Sequence, residues 1–514
     1  MKRRILAILL AGTMLLSDGS FTSMAVNSQS AVSVDAAVQE QAEETAGNDV
    51  DVSNGSETAV SAPDAATDEN DGTDTSAEEG KEGTETPDSS RTENEATPSA
   101  GGETDAEPDV SETPVEKDTT ETAEETEKTF ETSVSGDTVT IIKYNPGTNP
   151  AEELIIPEEL EGKSNIKIRY GVFKDCTSIT KVVLPDTVTE IGYNAFWGCV
   201  NLEDVSLGNG VKTIGYNAFS GCTALKTIKI PQSVTSIGSS YGGVSNSIEE
   251  IIFENGMTKI PNYACQNASN LKTAVIPDTV TEIGYNAFYK CTNLTDTGLT
   301  DNVETIGNYA YNGCTALTGL TLGAKVKTVG NNAFEGCTGL ASLALGDSME
   351  TIGSSAYKGC TALASVNLGN SLIRIYGSAF SGCSALNKIT IPKSVDHIDS
   401  NAFYDSIAEI TFTDGMTKIP TNACNNASNL TKVVIPNTVT EIGYNAFYDC
   451  KKLTGTGLTD NVETIGNSTY SGCTGLTSLA LGVKVKTVGD SAFSGCIGLT
   501  SVKLNDSLTS IGRS

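Results

Sequence analysis

A single histidine serves all 514 residues, tryptophan also occurs once, and aromatic residues make up only 6% of the chain. This scarcity removes several chemistries. His397, in SVDHIDSNAF, takes the place that Glu190 or Ser236 holds in sibling segments, a variable and exposed position with no clustered nucleophile, so a Ser-His-Asp relay has no support. The thirteen cysteines never fall as C-x-x-C, and one histidine cannot complete a zinc set with them. Glu249 and Glu250 are neighbours on one strand, where successive side chains face opposite ways, so they do not make a glycosidase pair. Lys and Arg number 33 against 65 Asp and Glu, for a formal net charge of −32, and no P-loop or dinucleotide fingerprint occurs. That balance opposes nucleic acid as a partner. No cofactor, no metal and no enzymatic activity are expected.

Long apolar runs are as rare as histidine. The run at residues 5–16, after Met-Lys-Arg-Arg, is too short to span a bilayer but suits a signal-peptide core, with cleavage after Ala25. Export follows, with a signal peptide over residues 1–25, no other transmembrane segment, and a secreted or bacterial cell-surface location. Residues 26–131 are dominated by Glu, Asp, Thr, Ser, Ala and Gly and have no aromatic residue before Phe130. Between Asp35 and Phe130 there are 30 acidic and 4 basic side chains, so −26 of the −32 total lies here and −6 is left for the rest. Such a stretch buries no core and repels itself, which predicts an acidic, disordered stalk. A flexible coil of about 100 residues reaches roughly 50–60 Å, and self-repulsion extends it further. The acids are scattered without an EF-hand spacing, so the stalk reads as a spacer and not as a calcium-binding loop.

Past Phe130 the composition turns to Leu, Ile, Val, Thr, Gly and Asn. From here the chain repeats itself with a period of about 23 residues. LPDTVTEIGYNAFWGCVNLEDVS, from Leu184, is followed by LGNGVKTIGYNAFSGCTALKTIK, each unit carrying one Ile-Gly, one Ala-Phe and one Gly-Cys. Fifteen such units are expected. Two lack the cysteine, near Tyr241 and at Phe403, and each precedes a shortened unit with Ala-Cys alone, at Cys265 and Cys424. Residues 251–355 align without gaps on residues 410–514, with about two-thirds of positions identical, which marks a block duplication. A unit this short cannot close its own core, so stacking on neighbours is obligatory. Leu225, Ile228 and Ile230 have the L-x-x-L-x-L spacing of a short strand, with Lys226, Thr227 and Lys229 outward. YNAFSGC reads as a brief helical or 3₁₀ turn. All thirteen cysteines are expected in one register of their units, as a buried, unpaired ladder.

VSGDTVTIIKYNPG and ELIIPEELEG, ahead of the first full unit, read as a capping hairpin within residues 132–168. Residues 169–514 then form the solenoid, a curved stack that is mainly β with short helical turns. The sequence ends at TSIGRS, in mid-unit, which suggests a truncated repeat region.

LPDTVTEIGYNAFWGC followed by NLEDVSL resembles the BspA-type bacterial leucine-rich repeats, from about residue 135 onward. The resemblance implies a curved solenoid on secreted or surface proteins, often adhesive, and offers no catalytic residues. It is silent on the ligand.

Two sets of residues are candidates for binding. The outward face of the strand ladder carries Lys181, Lys226, Lys229, Glu249, Glu250, Lys272, Lys388 and Lys432, separated by a band of small residues, as could suit an extended protein or glycan. Aromatic pairs at i and i+4, Tyr193 with Trp197, Tyr285 with Tyr289, and Tyr444 with Tyr448, offer rings to sugars or pack locally on a turn. The expected function is an adhesion or interaction scaffold at the cell surface. The alternative is the non-catalytic targeting or display part of a larger secreted enzyme or wall protein.

Overall fold

The computed structural model describes residues 129–513 apart from 149 and 240. The expected signal peptide and nearly all of the expected stalk lie outside the described residues. A six-residue strand β1 (Phe130–Ser135) opens the fold and pairs antiparallel with β2 (Thr138–Tyr144). Phe130 and Glu131, placed in the stalk by composition, belong to this hairpin. ELII does not join it. It forms β3 (Glu153–Ile155), which pairs with Lys181–Val183, while β2 pairs in parallel with β4 (Asn165–Ile168). The difference has a simple cause: β2 and β3 head two separate ladders, one for each of the two short strands in every turn.

The second ladder is the more continuous one. Its anchors run Ile168, Ile191, Ile214 and Ile237, then Ile260 onward to Ile398, and finally Ile419 to Ile511, all buried but the last, which is exposed. Sixteen turns result where fifteen units are expected, and all are of one length except the step from Ile398 to Ile419, which is shorter by two. In the first ladder the alternation holds as expected, with Ile228 and Ile230 buried and Thr227 and Lys229 exposed. β-branched residues suit both ladders, because a strand buried on one face rewards a stiff apolar branch inward and a Thr, Lys or Glu outward.

No helix occurs among the described residues. The segments expected as helical turns carry Asn194, Asn217, Asn286 and Asn445 at φ between 52° and 55°, and Gly198 at 75°. A left-handed residue in each unit reverses the chain and forbids continued helical hydrogen bonding. Asparagine tolerates that conformation better than other side chains, which accounts for its recurrence there.

The core is a pair of side-chain ladders. Phe173, Phe196 and Phe219 stack with ring centroids 4.8 and 5.1 Å apart, and Phe288 through Phe403 continue at 5.0–5.8 Å. Beside them the cysteine thiols donate to a carbonyl of the preceding turn, as Cys199 does to Phe173 (3.0 Å) and Cys337 to Tyr311 (3.2 Å). Two of the thirteen break the expected register. Cys265 occupies the ring position, one turn before Phe288, and Cys424 likewise precedes Phe447, while Ala268 and Ala427 hold the thiol position. At these gaps Phe253 and Phe412 turn edge-on to Phe288 and Phe447, at 6.4 and 6.5 Å. Conversely, the two units without cysteine have Ser245 and Ser406 in its place, and Ser245 Oγ donates to the Phe219 carbonyl at 3.0 Å.

The first ladder lacks a strand at Thr297 and at Thr456, its duplicate. There the buried phenol of Tyr311 donates to the Thr297 carbonyl (3.0 Å), and that of Tyr470 to Thr456 (2.8 Å). The buried Tyr357 hydroxyl, by contrast, has no partner among the described residues. Tyr311→Phe is therefore expected to cost about 1–2 kcal/mol, because it orphans a buried carbonyl. Tyr357→Phe is expected to leave stability unchanged or raised. Denaturant midpoints of the two variants at constant slope check this, and equal losses would refute it.

Candidate functional site

The charged residues singled out from sequence pair with one another. On the first ladder Lys181 Nζ lies 2.8 Å from Glu153. Glu249 bridges Lys226 (3.2 Å) and Lys272 (2.7 Å), and Glu409 bridges Lys388 (3.1 Å) and Lys432 (2.8 Å). Hydrogen bonds from Lys272 and Lys226 hold the Glu249 carboxyl below its ordinary range, and those from Lys432 and Lys388 do the same for Glu409. Glu249 lies just before its strand, and the Glu250 carboxylate accepts from Thr227 at 3.3 Å. Lys229 is exposed on its strand. These charges mainly neutralise each other along the stack, as surface ion pairs of small net effect.

None of the three i, i+4 aromatic pairs makes a ring–ring contact among the described residues. A left-handed asparagine, Asn194, Asn286 or Asn445, stands between the members of each pair. Lys174 Nζ lies 4.8 Å from the Trp197 ring centroid, and Lys290 Nζ 5.2 Å from that of Tyr289. Tyr285 meets Tyr263 and Tyr309 edge-on at 5.4 and 5.9 Å. Tyr444 and Tyr448 are both exposed.

Tyr193 belongs to a different array. It stacks between Tyr170 and Tyr216, with centroids 4.9 and 5.1 Å apart and planes within 5° of parallel, and Tyr241 closes the row at 5.7 Å and 47°. The other end is closed by Arg169, whose guanidinium carbon lies 4.6 Å from the Tyr170 centroid and whose Nη2 donates to the Tyr170 hydroxyl at 3.3 Å. Tyr170, Tyr193 and Tyr216 line a groove of about 390 Å³ along the second ladder, bordered by Lys167, Arg169 and Glu190, with Lys167 and Glu190 paired at 2.8 Å. The groove floor needs glycine. A Cβ on Gly192 would lie 2.5 Å from the Tyr170 amide nitrogen, and one on Gly215 2.3 Å from that of Tyr193. Tyr170 and Tyr216 carry no mark as i, i+4 partners, and the signal that finds them is the register: RYGVF, GYNAF and GYNAF place tyrosine at 170, 193 and 216.

Chemistry at the remaining reactive groups is muted. His397 Nε2 lies 2.8 Å from Asp399 at an exposed site. No group of three or more His, Cys, Asp or Glu among the described residues is placed to hold a metal ion, and no helix among them is long and apolar enough to cross a membrane. All thirteen cysteines are free, eleven of them buried. Burial pushes the half-buried Cys176 and Cys496 thiols up to about 11, and raises those of Cys265, Cys291, Cys314, Cys337, Cys360 and Cys424 further.

A profile of the BspA type leucine rich repeat region matches in six copies over residues 166–295, 281–408 and 405–514. No curated protein sequence matches. Among solved structures, a leucine-rich repeat protein from Bacteroides ovatus is 26% identical, with a TM-score of 0.50 over 74% of this chain and 94% of the other. A leucine rich cell surface protein from Faecalibacterium prausnitzii is 25% identical, with a TM-score of 0.34 over 60% and 93%. The pneumococcal vaccine antigen PcpA is 15% identical, with a TM-score of 0.28 over 66% and 92%.

Two outcomes are expected of the thiols. In the native protein Cys176 and Cys496 are alkylated first and the other eleven only on unfolding, which mass spectrometry of iodoacetamide-treated protein resolves. The folded-state pKa values are raised, so the thiol contribution to stability is complete below the ordinary cysteine value and is lost as pH rises past it. The unfolding midpoint should fall above about pH 9, and a flat midpoint through pH 10 would contradict this.

Proposed function

The chain belongs to the BspA-type leucine-rich-repeat family, and from that premise we propose that it is a surface-displayed adhesion scaffold that binds an extracellular protein through the tyrosine-lined groove. One observation carries the reading. Four exposed or half-buried tyrosines and an arginine share a shaped surface, the only such row of stacked exposed rings among the described residues. Tyrosine and arginine supply large contact area and adaptable polar tips at little entropic cost, which is why they dominate the energetic centres of protein interfaces. Export by the N-terminal apolar run and spacing by the acidic stretch complete the reading, and no residue is assigned a catalytic role.

The full chain is applied to immobilised extracellular-matrix proteins, and adhesion of cells with and without it is compared. Binding to at least one protein, weakened about tenfold or more by Tyr170→Ala with Tyr216→Ala, is the expected result. Absence of binding across the panel, together with unchanged adhesion, would sink the proposal.

A further inference from the structure

A partner that meets several turns of the stack at once must share its repeat. Tyr170, Tyr193 and Tyr216 recur at 4.9 and 5.1 Å with planes within 5° of parallel, so the row is straight over three turns. One face of a single extended strand offers a side chain only about every 6.6–6.8 Å, and one face of a helix alternates about 4.5 and 6 Å. Stacked strands, at about 4.8 Å, stay in step with the row. A sugar needs an open ring face, yet both faces of Tyr193 are covered by its neighbours, and Arg169 covers the outer face of Tyr170. What the row leaves free are ring edges and hydroxyls, and a phenol hydroxyl both donates and accepts. A tyrosine row can therefore face a copy of itself.

The order of residues along the groove is complementary to its own reverse. On the strand side the outward column runs Thr140, Lys167, Glu190 and Thr213 on neighbouring turns, and all four line the groove. Laid antiparallel on a copy, threonine meets threonine at the ends and each lysine meets a glutamate. On the other side the row runs Arg169, Tyr170, Tyr193 and Tyr216. Laid the same way, Tyr170 meets Tyr193, and the Arg169 guanidinium meets Tyr216 as a cation against an aromatic ring. Both columns place the two-fold axis at one point, between the turn of Lys167 and that of Glu190. Lys259 and Glu282, paired at 2.7 Å, repeat the charges alone: Tyr263 and Tyr285 meet edge-on there, and no straight row of rings accompanies them.

We propose that the groove binds the same groove of a second copy of this chain, antiparallel, about a two-fold axis between Tyr170 and Tyr193. Such an isologous contact uses each pairing twice. The proposal rests on the reading of the groove as the interaction site and adds a partner that competes for it. A groove filled by a copy on the same or a neighbouring cell is closed to the extracellular protein. The patch spans only the four turns from Thr140 to Thr213, so the contact is weak in solution and gains strength where many copies are displayed together. Lys167 and Glu190 keep their 2.8 Å contact within each copy, and pairing joins the two contacts into a ring of four charges of alternating sign.

Sedimentation velocity of the full chain over a wide concentration range, at about 0.15 M salt to screen the acidic stretch, is expected to show a monomer–dimer equilibrium. Lys167→Glu sets glutamate against glutamate and Glu190→Lys sets lysine against lysine, so each alone should weaken self-association about tenfold or more. An equimolar mixture of the two variants should restore it, because every contact between unlike variants is again opposite in charge. A role confined to one chain predicts no such rescue. Tyr193→Ala should weaken association as much, whereas Lys259→Glu should leave it unchanged, with unfolding midpoints confirming that each variant is folded. A chain that stays monomeric throughout, or a dimer indifferent to these variants and to their mixing, overturns the proposal. If the chain is monomeric yet a matrix protein binds and is lost with Tyr170→Ala and Tyr216→Ala, the second-copy proposal falls while the groove reading stands. A dimer broken by the groove variants, alongside matrix binding that ignores Tyr170→Ala and Tyr216→Ala, supports the pairing and removes the extracellular protein from the groove.

Discussion

Each turn of the stack lies one strand spacing from the next, about 4.8 Å, and the structure depends on what that distance does to identical side chains. A residue meets its own counterpart from the turn before. Phenylalanine therefore stacks on phenylalanine at 4.8 Å, thiol lines up behind thiol, and an asparagine oxygen falls beside the next turn's amide. The same distance governs charge. Like charges so close would repel, and the chain alternates them instead, as in Lys226, Glu249 and Lys272.

This constraint explains why the fold is so legible in the sequence and the site much less so. The period, the inward Ile and Leu positions and the outward Thr and Lys are local patterns that any one unit displays. The left-handed asparagines are not visible as such, since NAF after Tyr reads equally well as the start of a helical turn. The register of Cys265 and Cys424 is hidden for a related reason: Ala-Cys resembles Gly-Cys in composition, and the hydrogen bonds from Cys291 to the Cys265 carbonyl and from the Cys265 amide to the Ala287 carbonyl fix Cys265 as a ring substitute. In a stack, identity of register outranks identity of residue.

The groove is hidden by a similar confusion of directions. Reading along the chain pairs Tyr193 with Trp197, four positions on, whereas reading across turns pairs it with Tyr170 and Tyr216, one turn to either side. Most contacts that matter in a solenoid run across turns. Most candidate charges selected for exposure alone prove to be partnered across turns as well, and what distinguishes the groove is its row of stacked tyrosines.

The block duplication keeps its own irregularities: Thr297 and Thr456 both lack the strand, Tyr311 and Tyr470 both fill the gap, and Cys265 and Cys424 both replace a ring. Between the copies the register is rejoined by one shortened turn, across which Ile398 and Ile419 remain consecutive anchors of the core. Because the whole block is carried in register, one more copy of it would add turns beyond the groove and leave Tyr170, Tyr193 and Tyr216 in place.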